Sequence, residues 1–443
     1  LDIELSPDQS SVFRKVNTWI ETHREGTGGI LSIGGFAGTG KTTVLGCIAK
    51  KWQHRRTAYV CFTGRAVVNL RRALNTWSVP FNAQLKGNLL GAYCGTVHSL
   101  IYRPCACKDY TPAQSKQLDS LHGRCPCDGS GFVKLATQPP FELIVVDEAS
   151  MVHAGMAEDL ESYKIPIIYV GDHGQLPPIG GKGNKMAHPD LRLETIHRQA
   201  ADNPIILLAD EVRQTGLVSP HTIARFGADN RVLFSKRAHL NDHMQDFARR
   251  ASDTMRTSLV CGNTPEGTSG FAAICRTNAM RLALNRQVRK YRQGGHYDTA
   301  VQNGDYVIAL KNKPPIFNGM RGIVEQVLGR DPITTHLRVR FDDLPHTCEM
   351  FACNFQFNRE RTFGNALEMA TAAKAAGIDA STISKWGSLI DYGYAMTCHK
   401  AQGSQFGTVL VYPDGRMDPN EDDTKRWLYT AITRAKSHLI YTI

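Results

Sequence analysis

The sequence predicts an α/β chain made of two parallel-sheet cores, each carrying an inserted element. Three observations lead there. Short apolar, β-branched runs recur and are followed by Gly, Thr, Asp or Asn and then by a helical period, the pattern of buried parallel strands alternating with helices. One run leads directly into a glycine-rich loop and a helix. The regular spacing then breaks twice, in stretches of different texture.

The runs at 30–33, 58–62, 143–146 and 167–170 supply the first core, and those at 271–275 and 409–412 the second. The first break, about 103–137, mixes Cys, Pro, Gly and polar residues without a period and reads as an insertion between strands. The second, about 304–392, alternates apolar and polar residues, as in Gly322-Ile-Val-Glu-Gln-Val-Leu and Leu337-Arg-Val-Arg-Phe. That period of two predicts a small antiparallel β module. The expected domains are therefore 1–102 with 138–192, the insertion 103–137, then 193–303 with 393–443, and the module 304–392.

With 443 residues, 42% hydrophobic and 21% charged, the chain has ample material for such cores. No run approaches the roughly 18 apolar residues of a membrane span, and the first ten residues are acidic and polar, unlike a signal peptide. A cytoplasmic protein with no membrane partner is expected, in a bacterium or a phage-infected host. Lys and Arg outnumber Asp and Glu by 52 to 41, a net charge of +11. The excess is uneven: between Gly26 and Lys108 there is no acidic residue. That stretch reads either as a solvated basic face or as a surface that tracks phosphates.

Gly35-Phe-Ala-Gly-Thr-Gly-Lys-Thr42 has P-loop spacing, with a strand before it and a helical run, 43–52, after it. Gly38, Thr39, Gly40, Lys41, Thr42 and Thr43 would surround the phosphates of ATP. Backbone amides and the helix N-terminus supply positive potential, Lys41 reaches the β and γ phosphates, and Thr42 ligates Mg²⁺. Downstream, Leu143-Ile-Val-Val-Asp-Glu ends a buried strand on two carboxylates. Asp147 would hold the Mg²⁺ and Glu148 would take a proton from the attacking water. In Tyr169-Val-Gly-Asp-His-Gly-Gln-Leu-Pro-Pro178, Gln175 stands where an amide could sense the γ-phosphate.

That last segment resembles motif III of superfamily 1 helicases, and other motifs of the family follow in order. Leu5-Ser-Pro-Asp-Gln9 resembles the Q motif, which implies that Gln9 reads adenine. Phe62-Thr-Gly-Arg-Ala66 resembles motif Ia, with Phe62 where the family usually has Pro, and Thr96-Val-His98 resembles the next DNA-contact motif. Glu194-Thr-Ile-His-Arg-Gln199 resembles motif IV, Met396-Thr-Cys-His-Lys-Ala-Gln-Gly403 motif V, and Tyr429-Thr-Ala-Ile-Thr-Arg-Ala435 motif VI. The resemblance is to the superfamily 1B branch containing RecD and bacteriophage Dda, most of all to the Dda-like members.

It implies two RecA-like motor domains, a pin insertion in the first and an SH3-like β insertion in the second. It also implies ATP-driven 5′-to-3′ movement on single-stranded DNA and unwinding at duplex junctions, in replication, recombination or repair. Arg198 and Arg434 would be arginine fingers. Thr63, Arg65, Thr96 and His98 would line the strand on one core, and Thr397, His399 and Lys400 on the other. His98 and His399 have a second reading as core histidines. A monomer is expected, with single-strand-binding or replisome proteins as further partners. The alternatives are a RecD-like subunit of a nuclease complex, a translocase that displaces proteins from DNA, and a P-loop phosphotransferase.

Most of the twelve cysteines sit in apolar segments as small hydrophobes. Cys105, Cys107, Cys125 and Cys127 differ, forming two Cys-x-Cys pairs within the first insertion. Four thiolates suit a structural Zn²⁺, although one intervening residue is short for a zinc knuckle. Free thiols or redox-labile disulfides are the alternatives. Leu121 and Phe132 are candidate pin tips, or packing residues of the insertion.

Overall fold

In the computed structural model the chain divides into two units. The residues described are 4–23, 26, 28–83, 91–105, 132–178, 185–197, 202–261, 270–295, 300–310, 316–330, 334–342, 344, 346–354 and 390–443. The first unit comprises Leu1–Phe62, Ala66–His173 and Pro177–Ile196; the second comprises Thr63–Arg65, Gly174–Leu176 and His197–Ile443.

The first unit is built on a seven-stranded parallel sheet. Its strands are β1 (Ile30–Gly35), β2 (Thr57–Cys61), β3 (Phe81–Asn82), β4 (Ala92–Thr96), β7 (Leu143–Asp147), β8 (Ile167–Gly171) and β9 (Leu191–Leu193). They lie in the order β3-β4-β2-β7-β8-β1-β9. Burial on both faces explains their continuous apolar runs: β2, β4 and β8 are buried at every position. One face packs on the helices Pro7–Thr22, Lys41–Lys51 and Gly64–Thr76 through residues such as Val16, Ile48 and Leu70. The other packs on the helix Ala154–Glu161 through Met156 and Leu160. A short hairpin, β5 (Tyr102–Pro104) with β6 (Phe132–Lys134), forms the base of the first insertion. Residues 106–131 of that insertion, including Leu121, Cys107, Cys125 and Cys127, lie outside the described residues.

The second unit holds a five-stranded parallel sheet, β10 (Val232–Ser235), β11 (Phe271–Cys275), β17 (Ala395–Thr397), β18 (Phe406–Tyr412) and β19 (Ala435–Thr442), in the order β10-β19-β18-β11-β17. Beside it is an antiparallel sheet, β12 (Tyr306–Ala309), β13 (Arg321–Arg330), β14 (Thr334–Phe341), β15 (Thr347–Cys353) and β16 (Ile390–Tyr392), in the order β15-β14-β13-β12-β16. One hydrophobic core runs through both: Phe247, Phe271 and Leu284 are continuous with Tyr306, Val324, Val339 and Tyr392. Helix starts follow local rules. Ser6-Pro7, Asn203-Pro204 and Ser219-Pro220 each put a capping side chain before a proline at the first helical position.

The α/β class with two parallel sheets is the one expected. Some strands run longer than the apolar runs suggest: β1 and β7 continue into Gly35 and Asp147. Among the described residues no helix is long and apolar enough to cross a membrane.

Candidate nucleotide site and strand-contact residues

In the first unit the residues of interest gather at the carboxyl ends of adjacent strands, where loops leave a parallel sheet and ligands bind. The register aligns them: Cys61 pairs with Asp147 and with Thr96, and Gly34 pairs with Gly171. From Gly35 the chain turns through Gly38 and Gly40, at φ 82° and 79°, a conformation that other residues adopt only with strain. Gly35 is constrained by space, since a Cβ there would come within 2.6 Å of Thr39 Oγ1. Thr39 is fully buried and its hydroxyl donates to the carbonyl of Phe36 at 2.9 Å. Thr42 is exposed and Thr43 half-buried at the start of the helix.

Lys41 folds back over this loop. Its ammonium donates to the carbonyls of Gly35 at 2.7 Å and Phe36 at 2.9 Å and lies 3.9 Å from the buried Asp172. Asp172 was not singled out from sequence, although an acid directly after the buried strand β8 is the signal that could have found it. Gln9 approaches from the first helix. Its amide oxygen accepts from the Ser6 N–H at 3.1 Å, closing a capping box, and its Nε2 donates to the Thr39 carbonyl at 3.3 Å. The side chain implied to read adenine thus also braces the phosphate loop.

The two acids at the end of β7 differ in environment. Burial, then the neighbouring Glu148, push the Asp147 carboxyl up to about 7, against the pull of the Glu148 N–H and of Lys41. Glu148 is held at φ 53° and ψ 41°, a left-handed conformation unusual for a residue with a side chain. Such strain persists where the surroundings enforce it, often at functional sites. Asp147 and Thr42 together are hard oxygen donors suited to Mg²⁺, and the half-buried carboxyl would be relieved by a cation. Thr96 caps the helix Val97–Ile101 through a capping box with Ser99. His98 rests against Phe62, Tyr102 and Phe132 at 5.7, 5.7 and 6.1 Å between ring centroids. Burial, then His153, lower its basicity. His153, overlooked in the sequence, is exposed, caps the helix Ala154–Glu161 and lies edge-on to Phe62 at 6.2 Å. Phe132, half-buried at the base hairpin, lies against His98.

In the second unit, Arg434 is 4% exposed and its guanidinium is engaged internally. It donates to the carbonyls of Thr430 at 3.0 Å and Ser404 at 3.2 Å and to the Thr433 hydroxyl at 3.0 Å. To reach a phosphate it would have to exchange these bonds. Arg198 lies outside the described residues. Gln175 is 4% exposed, and its backbone belongs to this unit: its carbonyl accepts from Arg426 at 3.2 Å. The adjoining Leu176 is held by Thr430 at 3.0 Å and Gln402 at 2.9 Å. Leu176 is therefore bonded to residues of the segments resembling motifs V and VI. Thr63 is half-buried and Arg65 buried at the start of the helix Gly64–Thr76. Thr397, His399 and Lys400 are half-buried at the short helix Cys398–Ala401. Burial lowers the basicity of His399, with Asp423 opposing.

Of the four clustered cysteines only Cys105 is described; it is half-buried. No metal-ligating group of three or more His, Cys, Asp or Glu occurs among the described residues.

A strand, a glycine-shaped loop, a helix and, two places along the same sheet, a strand ending in paired acids define a P-loop nucleotide cradle. The model of the AAA domain matches residues 5–234, more than half of the chain, and that of the UvrD-like helicase C-terminal domain matches 392–441. The chain belongs to this AAA-domain family. It is 28% identical over 318 residues to the ATP-dependent RecD2 DNA helicase of Deinococcus radiodurans, covering 67% of this chain and 36% of that protein. The chain spans about a third of the length of the curated relatives it matches. A Bacteroides Pif1 helicase in complex with ADP-AlF3 and single-stranded DNA shares the fold, with TM-score 0.52 and 14% identity over 99% of this chain and 92% of that one. A Pif1 structure addressing unwinding at forked duplex DNA gives 0.51 and 15% over the same shares.

Proposed function

We propose that the chain is an ATP-dependent DNA helicase motor that moves 5′ to 3′ on single-stranded DNA and opens duplex at junctions. The observation that carries this reading is the complete nucleotide cradle of the first unit, in one chain with a second parallel-sheet unit that bears the remaining family motifs. The RecD2 and Pif1 relatives support it, since their names and complexes concern DNA unwinding, single-stranded DNA and forked DNA.

In this reading Gln9 and residues 38–43 take up ATP, and Lys41 exchanges the Gly35 and Phe36 carbonyls for phosphate oxygens. Thr42 and Asp147 would hold Mg²⁺, which neutralises phosphate charge. Glu148 accepts the proton of the attacking water, and Gln175, Arg198 and Arg434 respond to the γ-phosphate. Thr63, Arg65, Thr96 and His98, with Thr397, His399 and Lys400, contact the strand. We read the antiparallel module as the SH3-like insertion, residues 103–137 as the pin, and the protein as a cytoplasmic monomer. A zinc ion on Cys105, Cys107, Cys125 and Cys127 is a proposal for elemental analysis, with about one zinc per chain expected.

The test compares partial duplexes carrying a 5′ or a 3′ single-stranded overhang, with ATP turnover followed in parallel. Unwinding from the 5′ overhang and turnover stimulated by single-stranded DNA are expected. Unwinding from the 3′ overhang alone would overturn the polarity, and turnover indifferent to DNA would overturn the motor.

A further inference from the structure

The root of the first insertion is held from outside itself. β5 and β6 meet in three residue pairs, Tyr102 with Lys134, Arg103 with Val133 and Pro104 with Phe132. A two-stranded ribbon that short is not stable alone. Tyr102 and Lys134 stand directly opposite each other, so their side chains leave the same face, and both reach Asp159 on the helix Ala154–Glu161. The carboxylate divides between the strands. Its Oδ2 accepts from the Tyr102 hydroxyl at 2.6 Å, and its Oδ1 lies 3.4 Å from the Lys134 ammonium. That ammonium also donates to the Ser162 hydroxyl at 2.8 Å and lies over the Tyr163 ring at 5.5 Å. The Tyr163 hydroxyl donates to the carbonyl of Leu135, whose own N–H donates to the carbonyl of Ile101 at 2.9 Å.

The ion pair alone would hold little, because Lys134 and Asp159 are each 37% exposed and water screens them. The phenol bond is of a stronger kind, an O–H donated to a carboxylate. Burial, then Asp159, push the Tyr102 phenol up, so it stays protonated and remains a donor. An acid in the last turn of a helix faces the negative end of the helix dipole, so Asp159 gains from the hairpin opposite and not from its own helix. The two neighbours of the root matter as well. Asp147 and Glu148 lead into the turn Ala149–Met151, after which His153 caps the helix that carries Asp159. Tyr102 directly follows the helix Val97–Ile101, and its N–H donates to the carbonyl of His98. The root through which residues 106–131 enter and leave is therefore tied both to the segment after the paired acids and to a segment that resembles a strand-contact motif.

We propose that Asp159 is the positioning residue of the insertion, clamping both strands of its root to the helix that follows the paired acids, so that the insertion meets a duplex junction as part of the first unit. This deepens the DNA-motor reading and rests on it, with 103–137 as the pin. A pin divides base pairs only if it does not yield when they push back. Without the clamp, ATP is still hydrolysed and the strand still drawn in, but fewer pairs open for each ATP.

The test uses the full chain on a forked duplex with a 5′ tail, measuring base pairs opened per ATP consumed, beside ATP turnover on oligo-deoxythymidine. Asp159→Ala should lower the yield of opened pairs about tenfold while single-strand turnover stays within about twofold of wild type, since the lost bonds are to a charged acceptor outside the nucleotide site. Asp159→Glu keeps both oxygens and should restore most of the yield. Tyr102→Phe and Lys134→Met each release one strand and should cost about threefold, and Tyr102→Phe should add little once Asp159→Ala is present. The loss should deepen as the duplex is made richer in G·C, because a yielding wedge fails most against pairs that resist most. Should Asp159→Ala fail to fold, Tyr102→Phe, which keeps the ring, carries the same comparison. Variants that open as many pairs per ATP as wild type, or that lose yield regardless of duplex composition, overturn the positioning role and leave the motor reading standing. Wild type that opens no duplex, or whose turnover ignores DNA, overturns the reading on which it rests.

Discussion

The two units handle charge in opposite ways. In the first, the cradle is made mainly of backbone: glycines at positive φ, two carbonyls that hold Lys41, and a strained Glu148 beside a half-buried acid. In the second, charge is sealed inside. Asp305, 1% exposed, accepts from Arg289, Arg292, Tyr394 and the Gln302 N–H. Arg289 is completely buried over the ring of Tyr392, and Arg321 pairs with Asp342 at 3.7 Å while lying over Tyr306 and Phe406. A site where phosphates come and go needs charges that can change partners. A scaffold that carries an antiparallel module on a parallel sheet needs charges that cannot.

If that contrast holds, substitutions in the first unit's site should cost chemistry and those in the second unit's network should cost stability. The largest expected effect is on turnover. Glu148→Gln keeps size and backbone preference but cannot take a proton, so ATP hydrolysis should fall by about 10²–10⁴-fold, with nucleotide binding and melting temperature nearly intact. Single-turnover kinetics beside equilibrium nucleotide binding checks this. A variant that also unfolds would blur the contrast.

Next comes the sealed network. Asp305→Ala leaves two buried guanidinium groups without their carboxylate and should cost about 3–5 kcal/mol in urea unfolding. Removing the charges together, as Asp305→Leu with Arg289→Met, should recover much of that loss, because the penalty lies in the unpaired charge. Equal losses in the single and double variants would show that shape, not charge, holds the module.

The same contrast decides what the sequence could disclose. The cradle was legible because backbone conformation leaves a residue signature: Gly38 and Gly40 where φ must be positive, Lys41 and Thr42 at fixed spacing, Asp147 at a strand end. The alternation in 322–328 and 337–341 announced antiparallel strands for a similar reason, since one side of a strand faces a core. Pairings between distant residues leave no such signature. Arg281 and Asp391 are 110 positions apart, and Lys400 and Asn318 82 apart. In the sequence Asn318 is one polar residue in a loop. Nor could a motif show that Arg434 is turned inward onto Thr430 and Ser404.

The smallest expected effect is a pH dependence that belongs to the first unit alone. The Asp147 carboxyl is raised to about 7, whereas in the unfolded chain it titrates near 4. The folded state therefore keeps a proton there that the unfolded state has released. Its contribution to stability is complete below about pH 4 and is lost as pH rises toward 7. Asp147→Asn removes the titration and keeps the neutral form, so without nucleotide it should melt above wild type at pH 8. Near pH 4 the two should melt together. Mg²⁺ competes with the same proton, so in wild type its stabilising effect should grow as pH rises through 7, and Asp147→Asn should lose that growth. Melting curves across pH 4–8, with and without Mg²⁺, test this directly. An Asp147→Asn protein that tracks wild type at every pH would mean the carboxyl is already ionised in the folded state, and that the cradle shares the second unit's sealed use of charge.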